Sequence, residues 1–232
     1  MARQLPLPLA FNPEHDFEEY YPGGNAEAME HLRRAALGRG EPFIYLWGTA
    51  GLGKTHLLHA CCREAYRAGL AVSFVPLRTL QEYGCEVLDG LEGQDLVCLD
   101  DLEAVAGNGS WEQALFQVFN LSRDAGHGFI ISAQVPPGEV PVALPDLKTR
   151  FAWGLTLMLR ELSDADKIAA LTLRARLLGL DLTPMVGRFL LNNCRRDLSG
   201  LMGLLEQLDR ATLAAKRKLS IPFLKTFLAE NP

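Results

Sequence analysis

A chain of 232 residues with 48% hydrophobic side chains suits one α/β core with a smaller appendage. Its formal net charge of −5 and pI near 5.6 disfavour broad electrostatic adhesion to nucleic acid, leaving room only for a local basic patch. No run approaches the roughly 18 apolar residues of a membrane span, and Pro6 and Pro8 interrupt the stretch where a signal peptide needs continuity, so a cytoplasmic protein is expected.

In chain order, residues 1 to 13 form a tail punctuated by Pro6, Pro8 and Pro13, which forbids a regular helix or a central strand and predicts an extended, accessible segment. From Asn25 to about Leu37 the spacing of Met29, Leu32, Ala36 and Leu37 predicts a helix, with Asn25 as its N-cap after the Gly23-Gly24 turn. The apolar run Phe43-Ile44-Tyr45-Leu46-Trp47 then leads directly into Gly48-Thr49-Ala50-Gly51-Leu52-Gly53-Lys54-Thr55, a complete GxxxxGKT phosphate-binding loop. Its glycines let the backbone curl so that amide N–H groups converge on phosphate oxygens, while Lys54 reaches the outer phosphates and the Thr55 hydroxyl suits Mg2+. A helix over 56–67 turns its positive N-terminal end toward the same phosphates.

Beyond the loop, strands are expected at Ala71 to Val75, Leu96 to Leu99, Gly128 to Ala133 and Gly154 to Leu159, with helices near 78–88 and 111–125. This alternation predicts a parallel sheet of five strands flanked by helices. Leu96 to Leu99 runs into Asp100-Asp101, where the second half of a phosphate site is due. Asp100 is the candidate for holding the Mg2+ shell. Asp101 is one methylene shorter than the glutamate that orients the attacking water in many P-loop ATPases, so unaided hydrolysis is expected to be slow. Ser132 and Gln134, at the end of the next strand, are candidates for sensing the γ-phosphate or for capping the strand. Arg150 follows Leu144-Pro145-Asp146-Leu147-Lys148-Thr149, a turn and short helix able to project a guanidinium outward. From Ser163 onward only helices are expected, with start signals at Ser163-Asp164, Thr183-Pro184 and Ser220-Ile221-Pro222. Arg196 opens a long amphipathic helix of this appendage. Planar, permanently charged arginine suits phosphate recognition, and both arginines equally suit surface ion pairs. The domain boundaries read as a tail over 1–13, a nucleotide-binding core over 14–160 and a helical lid over 161–232. Five cysteines without CxxC spacing argue for buried thiols rather than a disulfide framework, and His56 and His59 lack the partners of a complete zinc set.

Gly51-Leu52-Gly53-Lys54-Thr55-His56-Leu57-Leu58-His59-Ala60, the Asp100-Asp101 pair, the Leu-Pro-Asp-Leu-Lys-Thr-Arg box and Arg196-Asp-Leu together resemble the DnaA/Hda family of AAA+ proteins over about residues 14 to 230. The resemblance implies an AAA+ core with a small all-helical lid. It implies that Arg150 is an arginine finger reaching a neighbouring subunit's nucleotide and that Arg196 contacts the chain's own nucleotide, ADP or ATP with Mg2+. The tail sequence Gln4-Leu5-Pro6-Leu7-Pro8-Leu9 looks like the hexapeptide that docks on the DNA polymerase III β sliding clamp, with Gln4, Leu5, Leu7 and Leu9 as its contact residues. Together these imply a negative regulator of replication initiation that binds ADP, docks on the clamp and stimulates hydrolysis of ATP held by DnaA, rather than an enzyme acting on its own substrate. A homodimer is plausible for such modules. The sequence ends at Pro232, just past the expected lid, so the initiator's helix-turn-helix domain, and specific DNA binding through it, are not expected. Two other readings share the phosphate loop. A self-sufficient helicase-loading or initiator-like ATPase requires appreciable turnover, and an adaptor that merely blocks DnaA assembly requires no projecting arginine.

Overall fold

Five short strands, β1 (Phe43–Trp47), β2 (Val72–Pro76), β3 (Leu96–Asp100), β4 (Gly128–Ala133) and β5 (Leu155–Met158), form one parallel sheet in the order β2-β3-β4-β1-β5. This computed structural model describes residues 15–231, so the tail carrying Gln4, Leu5, Leu7 and Leu9 lies outside the described residues. The interior strand β1 pairs with β4 on one side (Tyr45 opposite Ile131) and with the edge strand β5 on the other (Leu46 opposite Leu157). Continuous apolar strands are what a parallel sheet covered on both faces demands, and Ile44, Tyr45 and Leu46 are wholly buried. Their alternation sends Tyr45, with Leu99 and Ile131, into a core shared with Trp111, Leu115 and Phe151, and turns Ile44 and Leu46 to the opposite face.

The helices of this unit are α1 (Ala26–Ala36), α2 (Lys54–Arg67), the single turn α3 (Leu77–Leu80), α4 (Gly109–Ala125) and α5 (Pro145–Phe151). Helix α2 packs on β2, β3 and α1, and α4 packs on β4 and α5. Two local expectations fail. The helix expected over 78–88 breaks after α3 into 3-10 turns at Gln81–Tyr83 and Cys85–Leu88, because Gly84 between them has φ +90, outside the right-handed helical region. Asn25 precedes α1 but gives it no side-chain cap. Its amide instead exchanges two hydrogen bonds with the Arg160 backbone, accepting from the N–H at 2.7 Å and donating to the carbonyl at 3.0 Å.

The described residues cluster into two compact units, the first comprising Asn25–Arg160 with the residues up to Phe17, the second Glu161 onward with Glu18–Gly24. Glu18–Gly24 lies inside the 14–160 span expected of the core, yet Tyr21 donates to Asp166 and Glu19 pairs with Arg174, both in the helical unit. That unit consists of α6 (Asp164–Leu177), α7 (Pro184–Asn193), α8 (Leu198–Ala215) and α9 (Ile221–Glu230). Each start is fixed by a side-chain cap: Ser163 accepts from Asp166 N–H, Thr183 from Val186, Asp197 from Gly200 and Ser220 from Phe223. Leu171, Leu190, Leu205, Leu208 and Leu224 close its core. Cys61, Cys62 and Cys98 are buried, Cys85 and Cys194 half-buried, and all five are free thiols. No helix among the described residues is long and apolar enough to cross a membrane.

Candidate phosphate-binding site

The phosphate loop leaves the C-terminal end of β1 and is tied to the neighbouring strand by Gly48 N–H donating to the Ala133 carbonyl at 3.2 Å. Gly51 and Gly53 have φ +82 and +85, left-handed values that an L side chain resists, and Gly53 is the N-cap of α2. Lys54 is 7% exposed, and its ammonium donates to the loop carbonyls of Gly48 (2.6 Å) and Thr49 (3.0 Å). Burial pulls its pKa below the usual lysine value, and the nearby carboxylates of Glu103, Asp100 and Asp101 push back.

Behind the loop, Asp100 ends β3 and receives two hydroxyl donors, Thr55 on one oxygen (2.7 Å) and Ser132 on the other (2.5 Å). Burial raises the Asp100 pKa, and those two hydrogen bonds oppose the rise. Ser132 also accepts from Asp101 N–H at 3.0 Å and is fully buried. Its hydroxyl therefore orients Asp100 and the end of β3. Asp101 adopts a left-handed conformation, φ 60 and ψ 59, and its carboxylate pairs with the exposed Arg78 at 2.8 Å. Gln134 enters the site through its backbone, whose N–H donates to Glu103. Glu103 is the residue that sequence reasoning missed. It lies two positions past the aspartate pair, and only the turn at Asp101 carries it back to β4. A buried lysine, a loop of backbone amides and a hydroxyl–carboxylate pair of hard oxygen donors are chemically suited to a magnesium nucleotide, with Thr49, Ala50 and Leu52 supplying loop backbone. When bound, the cation neutralises phosphate charge.

Arg150 is held elsewhere. Helix α5 ends just before β5, whose first residue Leu155 pairs with Ile44 near the start of β1. The intervening Gly154 lies so close to Phe43 that a Cβ there would come within 2.3 Å of the Phe43 carbonyl oxygen. Arg150 thus sits at the strand-start edge of the sheet, and the phosphate loop leaves the strand-end edge; the five residues of β1 separate them by roughly 13 Å at ~3.3 Å per residue. Its guanidinium lies 3.6 Å from the Trp153 ring and 5.6 Å from Phe116, and no carboxylate pairs with it among the described residues. In the helical unit, Arg196 precedes the Asp197 cap and so lies outside the helix it was expected to open. It is 60% exposed and 3.6 Å from Asp164. His56 and His59 pack against His15 at ring distances of 4.6 and 5.4 Å, and among the described residues no cluster of three His, Cys, Asp or Glu is arranged to hold a metal.

A parallel sheet with an interior strand that feeds a glycine-bent loop with a buried lysine, backed by a hydroxyl–carboxylate pair and accompanied by a four-helix unit, defines an AAA+ P-loop module. Residues 11–158 match the family model of the bacterial DnaA ATPase domain, and residues 164–228 match that of the Hda lid domain. The chain belongs to the bacterial DnaA ATPase-domain family. Among solved structures it is similar to domain III of the Thermotoga maritima replication initiation protein DnaA, with TM-score 0.81 and 22% identity over 96% of this chain and 100% of that one. AMPPCP-bound DnaA from Aquifex aeolicus gives TM-score 0.72 and 25% identity over 84% of this chain and 66% of that one. The Thermotoga maritima RuvB Holliday junction branch migration motor gives 0.67 and 18% over 95% and 73%.

Proposed function

We infer that this chain is a nucleotide-binding regulator of replication initiation that acts in trans on DnaA. One observation carries the reading: Arg150 is a half-buried guanidinium with no ion-pair partner among the described residues, held on aromatic faces at the sheet edge opposite its own phosphate loop. Stacking leaves the N–H groups around the guanidinium edge available, and those are the donors that meet phosphate. A phosphate that Arg150 meets belongs to another chain. The partner is DnaA with bound ATP, and Arg150 stabilises the charge that develops on the transferring phosphoryl group there. The chain's own site holds ADP or ATP with Mg2+ through Lys54, Thr55 and Asp100, and Arg196 reads that nucleotide from the lid. The bound nucleotide acts as a conformational ligand and not as a substrate turned over at speed.

The tail docks on the β sliding clamp through Gln4, Leu5, Leu7 and Leu9, which brings the regulator to DNA where replication is under way. The test is conversion of ATP to ADP on pre-loaded DnaA, with DNA-loaded clamp, in the presence and absence of this protein. Clamp-dependent stimulation is expected. Its absence with a competent clamp and nucleotide-loaded protein would favour a passive blocker, and rapid turnover by the isolated chain would favour a self-sufficient ATPase. Replacing Gln4 and Leu7 together by alanine is expected to abolish clamp pull-down while ADP still protects the fold against heat; retained clamp binding would remove the tail from the role.

A further inference from the structure

Glu103 occupies a position that the functions assigned to the phosphate loop do not use. It lies on the 3-10 turn Leu102–Ala104, which begins at the left-handed Asp101 and folds back toward the end of β4. One carboxylate oxygen accepts from the backbone N–H of Gln134. Gln134 directly follows Ala133, whose carbonyl receives the first N–H of the phosphate loop. The carboxylate is thus anchored one residue from the loop's tie to β4. Its second oxygen is buried and has no hydrogen-bond partner. Anchoring one N–H requires only a neutral amide oxygen; a full negative charge with a buried, unpartnered oxygen exceeds that need and acts on whatever charge enters beside it.

The surrounding charges give the direction of that action. Three carboxylates, Asp100, Asp101 and Glu103, act on Lys54, and the Arg78 cation beside them pairs with Asp101. A lysine at this motif position reaches the β- and γ-phosphates. A triphosphate carries more negative charge than a diphosphate into the same acidic surroundings, and the excess lies at the outer end. We propose that Glu103 is a specificity-determining residue of the nucleotide site, whose fixed negative charge disfavours a third phosphate and biases the chain toward nucleoside diphosphate. This inference rests on the phosphate-loop reading of the site.

The test is Glu103→Gln in the full chain, with affinities for ADP and for the non-hydrolysable triphosphate AMPPCP measured calorimetrically with Mg2+. The amide oxygen of glutamine keeps an acceptor for Gln134 N–H and removes only the charge. The ratio of AMPPCP affinity to ADP affinity is expected to rise about tenfold, the effect of one unit charge acting through partly solvated protein. Glu103→Ala, which also removes the charge, is expected to move the ratio the same way. An unchanged ratio in a variant that melts like the parent overturns the proposal, as does a change confined to ATP turnover. If neither neutral variant melts cooperatively, the carboxylate is a structural tie and the proposal fails. Failure of the parent chain to bind either nucleotide would instead sink the phosphate-loop reading itself, which separates the two outcomes.

Discussion

Removing Trp153 tests whether Arg150 is presented or merely present. The guanidinium carbon lies 3.6 Å from the Trp153 ring centre, close enough for face-on stacking, with Phe116 at 5.6 Å behind it. Arg150 Nε is buried without a hydrogen-bond partner, so the rings, not a polar acceptor, hold the side chain. A free arginine samples many rotamers, and ordering one costs up to roughly 2 kcal/mol. A stack formed beforehand removes part of that cost from the encounter with a phosphate. Trp153 is 55% exposed, which puts the cation–π attraction near the solvated end of its range, about 1 kcal/mol. That energy corresponds to about a fivefold change in rate.

Trp153→Ala is therefore expected to lower stimulated ATP hydrolysis on DnaA about fivefold, and Trp153→Phe to restore most of it. Arg150→Ala is expected to abolish stimulation, since an arginine finger supplies roughly 10³ to 10⁵ in rate. Single-turnover hydrolysis on pre-loaded DnaA, at saturating regulator, gives the rates, with ADP binding as the control because the own phosphate loop lies at the far end of β1. The double variant is expected to match Arg150→Ala alone, the signature of a residue acting only through another. If Trp153→Ala still reduced a residual stimulation in the Arg150→Ala background, Trp153 would be contacting the partner directly and the positioning argument would be refuted.

Gly154→Ala is expected to destabilise the first unit by about 3 kcal/mol or more, read as a lower denaturation midpoint, because the added Cβ meets the carbonyl of Phe43 as well as its ring, and the backbone cannot move aside. His59, buried against Phe74, is held neutral down to about 4, chiefly by burial and then by His15 and His56. The unfolded imidazole, with a pKa of about 6.5, binds a proton that the folded one refuses, so this contribution is fully present above that pH and is lost as pH falls toward 4. Between pH 7 and 5 the loss is about 2 kcal/mol, and His59→Gln is expected to flatten the stability-versus-pH curve by that amount; an unchanged slope would show that the imidazole is not the titrating group.

The parts of this molecule legible in the sequence are those whose signals are local. The phosphate loop sits between an apolar strand and a helix, and each element enforces the conformation of the next. Ser163, Thr183 and Ser220 announce helix starts because a cap bonds only to an N–H two or three residues on, here the third. Asn25 carries the same local signal and misleads, since a bidentate pairing with Arg160, 135 positions away, outcompetes the cap. Gly84 ends a helix that apolar spacing alone would extend, and the presentation of Arg150 by Trp153 depends on a short chain reversal that periodicity does not encode.

The aspartate pair shows how a motif read in a straight line overlooks a carboxylate that the fold brings to the same strand ends. In sequence, Asp101 follows Asp100 and inherits the place of the water-orienting carboxylate. In the fold, the positive φ at Asp101 turns the chain, sends its side chain outward to Arg78 and brings Glu103 against the end of β4. A non-glycine residue in that conformation costs on the order of 1 kcal/mol, and it persists because Ser132 fixes its N–H and Arg78 its carboxylate. Three hydrogen bonds, to Ser132, Arg78 and Gln134, thereby turn Asp101 outward and hold Glu103 against the end of β4. No single residue in Asp100-Asp101-Leu102-Glu103 signals this arrangement, because its partners lie far off in sequence, Arg78 on α3 and Ser132 and Gln134 at the end of β4.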